Sequence, residues 1–408
     1  MPDSIGTLRL PARVHFGAGA RAQLPEIAVS LGTRVLAVVD PFLVGTPVLD
    51  EIVAALGGAG LDVRVHADVM PELPVHTIAA GAAVAHEHDA DLILAIGGGS
   101  ALDAAKLIAL LHTHDGPLSL YYGENLVPGP VLPIIAVPTT AGTGSEVTPV
   151  AVVSDPEREL KVGISSPYLV PVAAVVDPEL TLGAPASVTA FSGIDALVHA
   201  VESFTARSLA VDWSATQPVF TGHNVLIEPI ALSAASHLGP WLPVAVGEPG
   251  HLEAREHVAQ GSLLGGVAFG STGTHLCHAL QYPIGAMTKT PHGLGTGLLL
   301  PYVIDVLKRD PAVAARLARL GAALEDVPVA EASADRTLAR VVQINREIGV
   351  PDTLAAIGLQ RDQLPQIADL ALRSARLLAI APIEPTRDVL LELLERAHAG
   401  TFDDRRSS

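Results

Sequence analysis

Asp195 and His199 stand four residues apart in GIDALVHAVE, a segment whose apolar positions recur at helical spacing. That separation puts both side chains on one face of a helix. A carboxylate and an imidazole so placed can chelate one divalent ion; an ordinary Asp–His surface pair has the same spacing. His278 lies in HLCHALQYPIG and His292 in Pro291-His292-Gly293, where the neighbours leave the backbone little bulk. A lone histidine is more often structural than a ligand. Here four candidates fall within about 100 residues, all in apolar or glycine-rich surroundings. One carboxylate and three imidazoles suit Fe(II) or Zn(II) and leave room for a substrate oxygen.

A second group of residues suits a dinucleotide. The apolar run DLILAIGGGS ends in Gly97-Gly98-Gly99-Ser100, and ALDAAKLIALL then has helical spacing. Glycines let a backbone turn sharply and approach closely, and a helix N-terminus offers unpaired N–H groups to a pyrophosphate. The segment is not GxGxxG, and an ordinary strand-to-helix turn is the alternative. Asp40 ends the run RVLAVVD. An acid there can accept from the adenosine ribose hydroxyls and repel a 2′-phosphate, favouring NAD over NADP; it could equally cap the turn before Pro41. The run from Pro138 through Thr139, Thr140 and Thr143 to Glu146 offers hydroxyls and small residues, either lining a nucleotide cleft or forming a capped turn.

These residues need elements to hold them. Short β runs at 34–40, 61–69, 91–100, 131–140 and 170–178 alternate with helical stretches such as PVLDEIVAALGGAG and VHTIAAGAAVAHEHDA. That order implies a mostly parallel sheet covered on both faces. Residues 150–164 read as a hairpin around Asp155-Pro156. Past about residue 186 the β runs stop and helical spacing takes over, with further helices expected at 310–324, 333–348 and 385–398. The expected fold is therefore an α/β dinucleotide-binding domain (1–185) followed by an all-α metal-binding and substrate domain (186–408). The stretch 207–226 lacks clean periodicity, and the tail TFDDRRSS is expected to fray.

Composition limits the partners. The chain has 408 residues, enough for two ordinary domains, with 49% apolar and 17% charged residues. Its net charge of −18 disfavours a nucleic acid or an anionic membrane. No uninterrupted apolar run reaches the ~18 residues of a spanning helix. The N-terminus does not read as a secretory signal, and a single cysteine, Cys277, fits a reducing cytoplasm.

Taken together, GGGSALDAAK, PTTAGTGSEVT, Lys161 after the hairpin, DPELT, GIDALVHAVES and the His278-to-His292 block resemble the iron-containing alcohol dehydrogenase family over nearly the whole chain. The resemblance implies a dehydroquinate synthase-like architecture. It places the metal ligands on Asp195, His199, His278 and His292, and the pyrophosphate contact on Gly97, Gly98, Gly99 and Ser100. Nicotinamide and ribose contacts fall on Thr139, Thr140, Thr143 and Lys161, and the cofactor-selecting acid on Asp40. It implies hydride transfer between NAD and a small alcohol, aldehyde or ketone, with a homodimer as the expected assembly. Many members have a histidine four residues after the third ligand; here Tyr282 stands there. HLCHALQYPIG is similar to the hydroxyacid-oxoacid transhydrogenase branch, which passes hydride between a hydroxy acid and an oxo acid on a retained cofactor. A lyase or cyclase of the dehydroquinate synthase type is the alternative of another class. Lys289, between two expected ligands, and Arg207 and His223 are candidate cations for an anionic substrate; a solvent-facing lysine is the plainer reading of Lys289.

Overall fold

A computed structural model of the chain describes residues 6–158, 161–210 and 212–402. The tail from 403, expected to fray, lies outside them, as do residues 159 and 160 of the expected hairpin. The chain divides into two compact units. One holds residues 9–184 and 216–219; the other holds 185–215, 220 onward, and the described part of residues 1–8.

Among its described residues the first unit is built on nine strands: β1 (Arg13–Phe16), β2 (Arg34–Val39), β3 (Asp62–His66), β4 (Leu92–Gly97), β5 (Gly123–Glu124), β6 (Ile134–Pro138), β7 (Val150–Val153), β8 (Val162–Ser165) and β9 (Ala173–Val176). Four longer helices join them: α1 (Leu24–Val29), α2 (Pro47–Gly58), α3 (Val75–Glu87) and α4 (Gly99–Thr113). Six strands form a parallel sheet in the order β1-β9-β6-β4-β2-β3.

The two-residue period of a strand sorts its side chains between the two faces. Leu36, Val38, Ile93, Ala95, Ile134 and Ala136 face a core shared with Ile78 of α3 and Leu102 and Ile108 of α4. Val35, Ala37, Val39, Leu92, Leu94 and Ile96 face the opposite core, with Leu24 and Ile27 of α1 and Leu49, Ile52 and Leu56 of α2. Each Leu, Ile or Val among them contributes about 1.5–3 kcal/mol by leaving water. Burial on both faces explains why these strands read as unbroken apolar runs.

The hairpin β7–β8 is antiparallel, and β5 joins it as a third strand. The sequence reading missed β1 and β5. β5 is only two residues long, and β1 is an edge strand with three of its four residues exposed, so neither shows a buried pattern.

The second unit is helical: α5 (Ala186–Thr205), α6 (Glu228–Gly247), α7 (Leu252–Thr272), α8 (Leu276–Thr288), α9 (His292–Leu307), α10 (Pro311–Glu325), α11 (Ala334–Glu347), α12 (Leu364–Ala371), α13 (Ala375–Ala379) and α14 (Arg387–Ala399). Helix α6 is long and apolar enough to cross a bilayer by length and composition, with a mean hydropathy of 1.2. It packs against α5, α7 and α10 and contains Pro240 and Pro243. One close approach matters for the site. A Cβ on Gly293 would lie 1.9 Å from the Phe191 carbonyl oxygen, so only glycine lets the start of α9 rest on α5.

Candidate metal centre and cofactor cradle

Helix α5 carries Asp195 and His199, both buried, one turn apart. His278 lies in the first turn of α8, and His292 opens α9 behind its N-cap Pro291. Three imidazoles turn Nε2 toward one carboxylate. His278 and His292 each lie 3.8 Å from Asp195 Oδ1, and His199 lies 3.7 Å from Oδ2. The ligand atoms of Asp195, His278 and His292 all fall within 4.8 Å of one another. His199 stands at the edge of that trio, its ring stacked on Phe269 and His278 at 4.1 and 5.1 Å.

These separations are too long for hydrogen bonds. They are close to the about 3.4 Å between ligands that bond lengths of ~2.0–2.2 Å around a tetrahedral ion would give. Burial pushes His199 down to about 4, against the pull of Asp195 and helped by His278 and His292, so its ring is a neutral lone-pair donor. Its buried Nδ1 has no hydrogen-bond partner among the described residues. Burial would raise the Asp195 carboxyl, but His199, His292 and His278 and a hydrogen bond from Thr296 hold it below its usual range. A divalent cation fits this donor set. His292, with 35% of its side chain exposed against 5% for Asp195, marks the open side.

Two supporting residues escaped the sequence reading. Glu202, one turn beyond His199 and wholly buried, accepts from His278 Nδ1 at 2.7 Å and from the backbone N–H groups of His275 and Cys277 at 2.8 and 2.6 Å. The bond puts the His278 proton on Nδ1 and leaves Nε2 free to bind a metal. Burial opposes ionisation of Glu202, but His275 and His278 and these hydrogen bonds bring it down to about 2. Thr296 Oγ1 donates to Asp195 Oδ1 at 2.7 Å. Their only sequence signal is helical phase: Glu202 follows Asp195 by two turns, and Thr296 follows His292 by one.

His275 is fully buried as the N-cap of α8. Its Nδ1 accepts from the Leu276 N–H, and its Nε2 lies 3.0 Å from Thr205 Oγ1. It is a packed residue. The Tyr282 ring stacks against His292 at 6.1 Å. Lys289 is exposed at the left-handed C-cap of α8, φ 57°. Arg207 is held by the carbonyls of Ala381 and Ile383, and His223 by Glu228.

In the α/β unit, the adjacency of β2, β4 and β6 gathers their C-terminal ends. The Asp40 N–H donates to the Ile96 carbonyl at 2.9 Å, and the Thr139 N–H to the Gly97 carbonyl at 2.9 Å. A Cβ on Gly97, φ 155°, would lie 2.7 Å from the Cβ atoms of both Asp40 and Ala101, so the strand turns into α4 only as glycine. Thr140 packs over Gly98 and Thr143 over Gly99, while Ser100 is exposed in the first turn of α4. This is a cradle at a helix N-terminus, outside the carboxyl ends of parallel strands. Asp40 Oδ1 also caps the turn, accepting from the Phe42 N–H at 3.1 Å.

Helix α4 grips the threonine loop through two further residues. Asp103 accepts from Ser145 Oγ at 2.6 Å and from the Val152 N–H at 2.9 Å. The fully buried Lys106 donates to the Thr148 and Val150 carbonyls at 2.9 and 2.8 Å.

Lys161 pairs with Glu72, Nζ to Oε2 at 2.7 Å, and its charge also bears on Asp103. If it leaves Glu72 for the ribose, Lys161→Ala should raise the cofactor KM by about tenfold or more, the worth of one charged hydrogen bond, with bound metal unchanged. Unaltered kinetics would leave it a surface ion pair worth under about 1 kcal/mol.

Residues 11–178 match the family described as iron-containing alcohol dehydrogenase, and residues 189–398 match the Fe-containing alcohol dehydrogenase family, C-terminal. The long-chain-alcohol dehydrogenase 1 of Geobacillus thermodenitrificans is 34% identical over 405 residues, covering 98% of each chain. The NAD-dependent methanol dehydrogenase of Bacillus methanolicus is 31% identical, covering 88% of this chain and 91% of its own length. The crystal structure of a 1,3-propanediol oxidoreductase superposes with a TM-score of 0.88 at 29% identity, covering 96% of this chain and 100% of that one.

Proposed function

The chain belongs to the iron-containing alcohol dehydrogenase family, and from that premise we propose how its own residues serve the reaction. It is an oxidoreductase that transfers hydride between a nicotinamide cofactor, NAD, and a small alcohol, aldehyde or ketone. Asp195, His199, His278 and His292 hold one Fe(II), or Zn(II) in its place. The observation that supports this assignment best is the convergence of three imidazole Nε2 atoms on the Asp195 carboxylate at 3.7–3.8 Å.

When bound, the ion supplies Lewis-acid polarisation of the substrate oxygen. Asp195 supplies the negative charge, with Thr296 fixing its Oδ1. Glu202 orients His278 and balances a second positive charge. His292 and Tyr282 form the open side, where the substrate enters and its hydroxyl proton leaves. Gly97 through Ser100 receive the pyrophosphate, Thr139, Thr140 and Thr143 line the nicotinamide side, and Asp40 takes the adenosine ribose.

We place the enzyme in the cytoplasm as a homodimer. The edge strand β1, with Leu10, Val14 and Phe16 exposed, offers a surface for a second copy, and light scattering would measure the assembly.

The test is a screen of metal-reconstituted protein against alcohols, aldehydes, hydroxy acids and oxo acids with each cofactor, read by nicotinamide absorbance. Metal-dependent reduction of NAD by an alcohol is expected; a full panel without it would remove the reading. Exchange between a hydroxy acid and an oxo acid without added cofactor would instead mark the transhydrogenase mode. In the same assay Asp40→Gly should lower the preference for NAD over NADP by about tenfold or more, since a like charge facing the 2′-phosphate is lost. A native enzyme that used NADP better would show Asp40 to be only a turn cap.

A further inference from the structure

Helix α9 opens on a metal ligand, and farther along it borders a cavity of about 270 Å³ within the helical unit. Leu298, Pro301 and Tyr302 form one side, roughly 9–15 Å past His292 along the helix axis. Val342 and Asn345 of α11 form another, and both α11 and α14 pack on α9. Phe402, just past α14, stacks on the Tyr302 ring, with centroids 4.9 Å apart and planes inclined by 14°. One buried polar atom on these walls is unmatched. Asn345 is 4% exposed, and its Nδ2 donates to the Gly297 carbonyl at 2.8 Å, so that end of the amide is the nitrogen. Its Oδ1 has no hydrogen-bond partner among the described residues. Tyr302 is satisfied, because its hydroxyl donates to the Asp352 carbonyl. A buried acceptor without a donor is unfavourable and rare in folded proteins. At the mouth Arg346 Nε and Asp352 Oδ1 stand 3.5 Å apart, both side chains well exposed, so their charges offset each other and select no ion. The cavity thus combines apolar and aromatic walls with one acceptor, the make-up of a small-molecule site. A cavity of about 150 Å³ takes a benzene ring; the larger one here has room for a ring with a substituent.

We propose that this cavity is a second small-molecule site, separate from the metal centre, for a neutral single-ring molecule that carries one hydroxyl or N–H donor. The donor bonds to Asn345 Oδ1, and the ring lies against Leu298, Pro301, Val342 and the Tyr302–Phe402 pair. The site does not depend on the dehydrogenase reading of the group at Asp195, and its test is read without turnover.

The experiment titrates the metal-reconstituted protein with 4-fluorophenol and with 4-fluorotoluene, read by the fluorine resonance of the ligand. The two probes have nearly the same shape and differ in the donor. The native protein should bind 4-fluorophenol saturably at one site per chain, with a Kd of about 1 mM or tighter. It should bind 4-fluorotoluene about 3- to 10-fold more weakly, the worth of one neutral hydrogen bond. Asn345→Leu should abolish that preference, so that the toluene binds at least as well as the phenol. Val342→Phe fills the space from a half-buried position on α11, leaves Asn345 in place, and should remove binding of both probes. His292→Ala, at the metal centre, should leave both affinities within about twofold. Thermal unfolding checks that each variant is folded, and either cavity variant alone keeps the test decisive. Equal affinity of the native protein for the two probes would remove Asn345 as the acceptor. Phenol binding that survives Val342→Phe but is lost in His292→Ala would put the ligand at the metal centre instead. No saturable binding of either probe would mean that the cavity holds water only, and would overturn the proposal.

Discussion

Changing His292 to alanine is expected to strip the protein of most of its metal and of nearly all metal-dependent activity. His292 closes the donor set on its open side, with Nε2 3.8 Å from Asp195 Oδ1. Without it, only Asp195, His199 and His278 would remain to hold an ion, with water reaching the exposed side. Changes one layer out from a metal cost about 10–100-fold in affinity, and loss of a direct ligand should exceed that. The fold should survive, because the side chain is 35% exposed and the helix start depends on Gly293 and Pro291 rather than on the ring. Elemental analysis after dialysis gives the metal-to-chain ratio, and circular dichroism checks the fold. A folded variant that still held one ion per chain would show that His292 is no ligand.

Glu202→Gln should produce a double loss, in metal affinity and in stability. Three N–H groups converge on this carboxylate, from His275, Cys277 and His278, at 2.6–2.8 Å. A carboxamide has one acceptor oxygen and must turn its NH₂ toward at least one of these donors. Leaving a buried donor unsatisfied costs about 1–3 kcal/mol of unfolding free energy. If the amide drives the His278 proton off Nδ1, it moves to the metal-facing nitrogen and blocks it; if not, the ring is held more weakly. Either way metal affinity should fall about 10–100-fold. Denaturant unfolding of the metal-free protein measures the first loss, and competition with a chelator the second. A variant that lost stability but bound metal at native strength would restrict Glu202 to capping α8.

The sequence by itself determined the elements and the chemistry of single positions. Unbroken apolar runs announced strands buried on both faces, and the three-glycine turn into ALDAAKLIALL announced a strand-to-helix cradle. The four-residue step from Asp195 to His199 announced two donors on one helix face. Such signals are local: a strand shows its period within five or six residues, and a helix within two turns. The tertiary structure alone decided which distant groups meet. Strand order set Asp40, Gly97 and Thr139 side by side, although 57 and 42 residues separate consecutive members. Packing of α5 on α8 brought Glu202 within 2.7 Å of His278, 76 residues away, and gave the imidazole its orientation. The geometry of the surface paired Lys161 with Glu72, Nζ to Oε2 at 2.7 Å. A buried polar group must find its partners wherever the packed chain puts them, and no local period records that pairing.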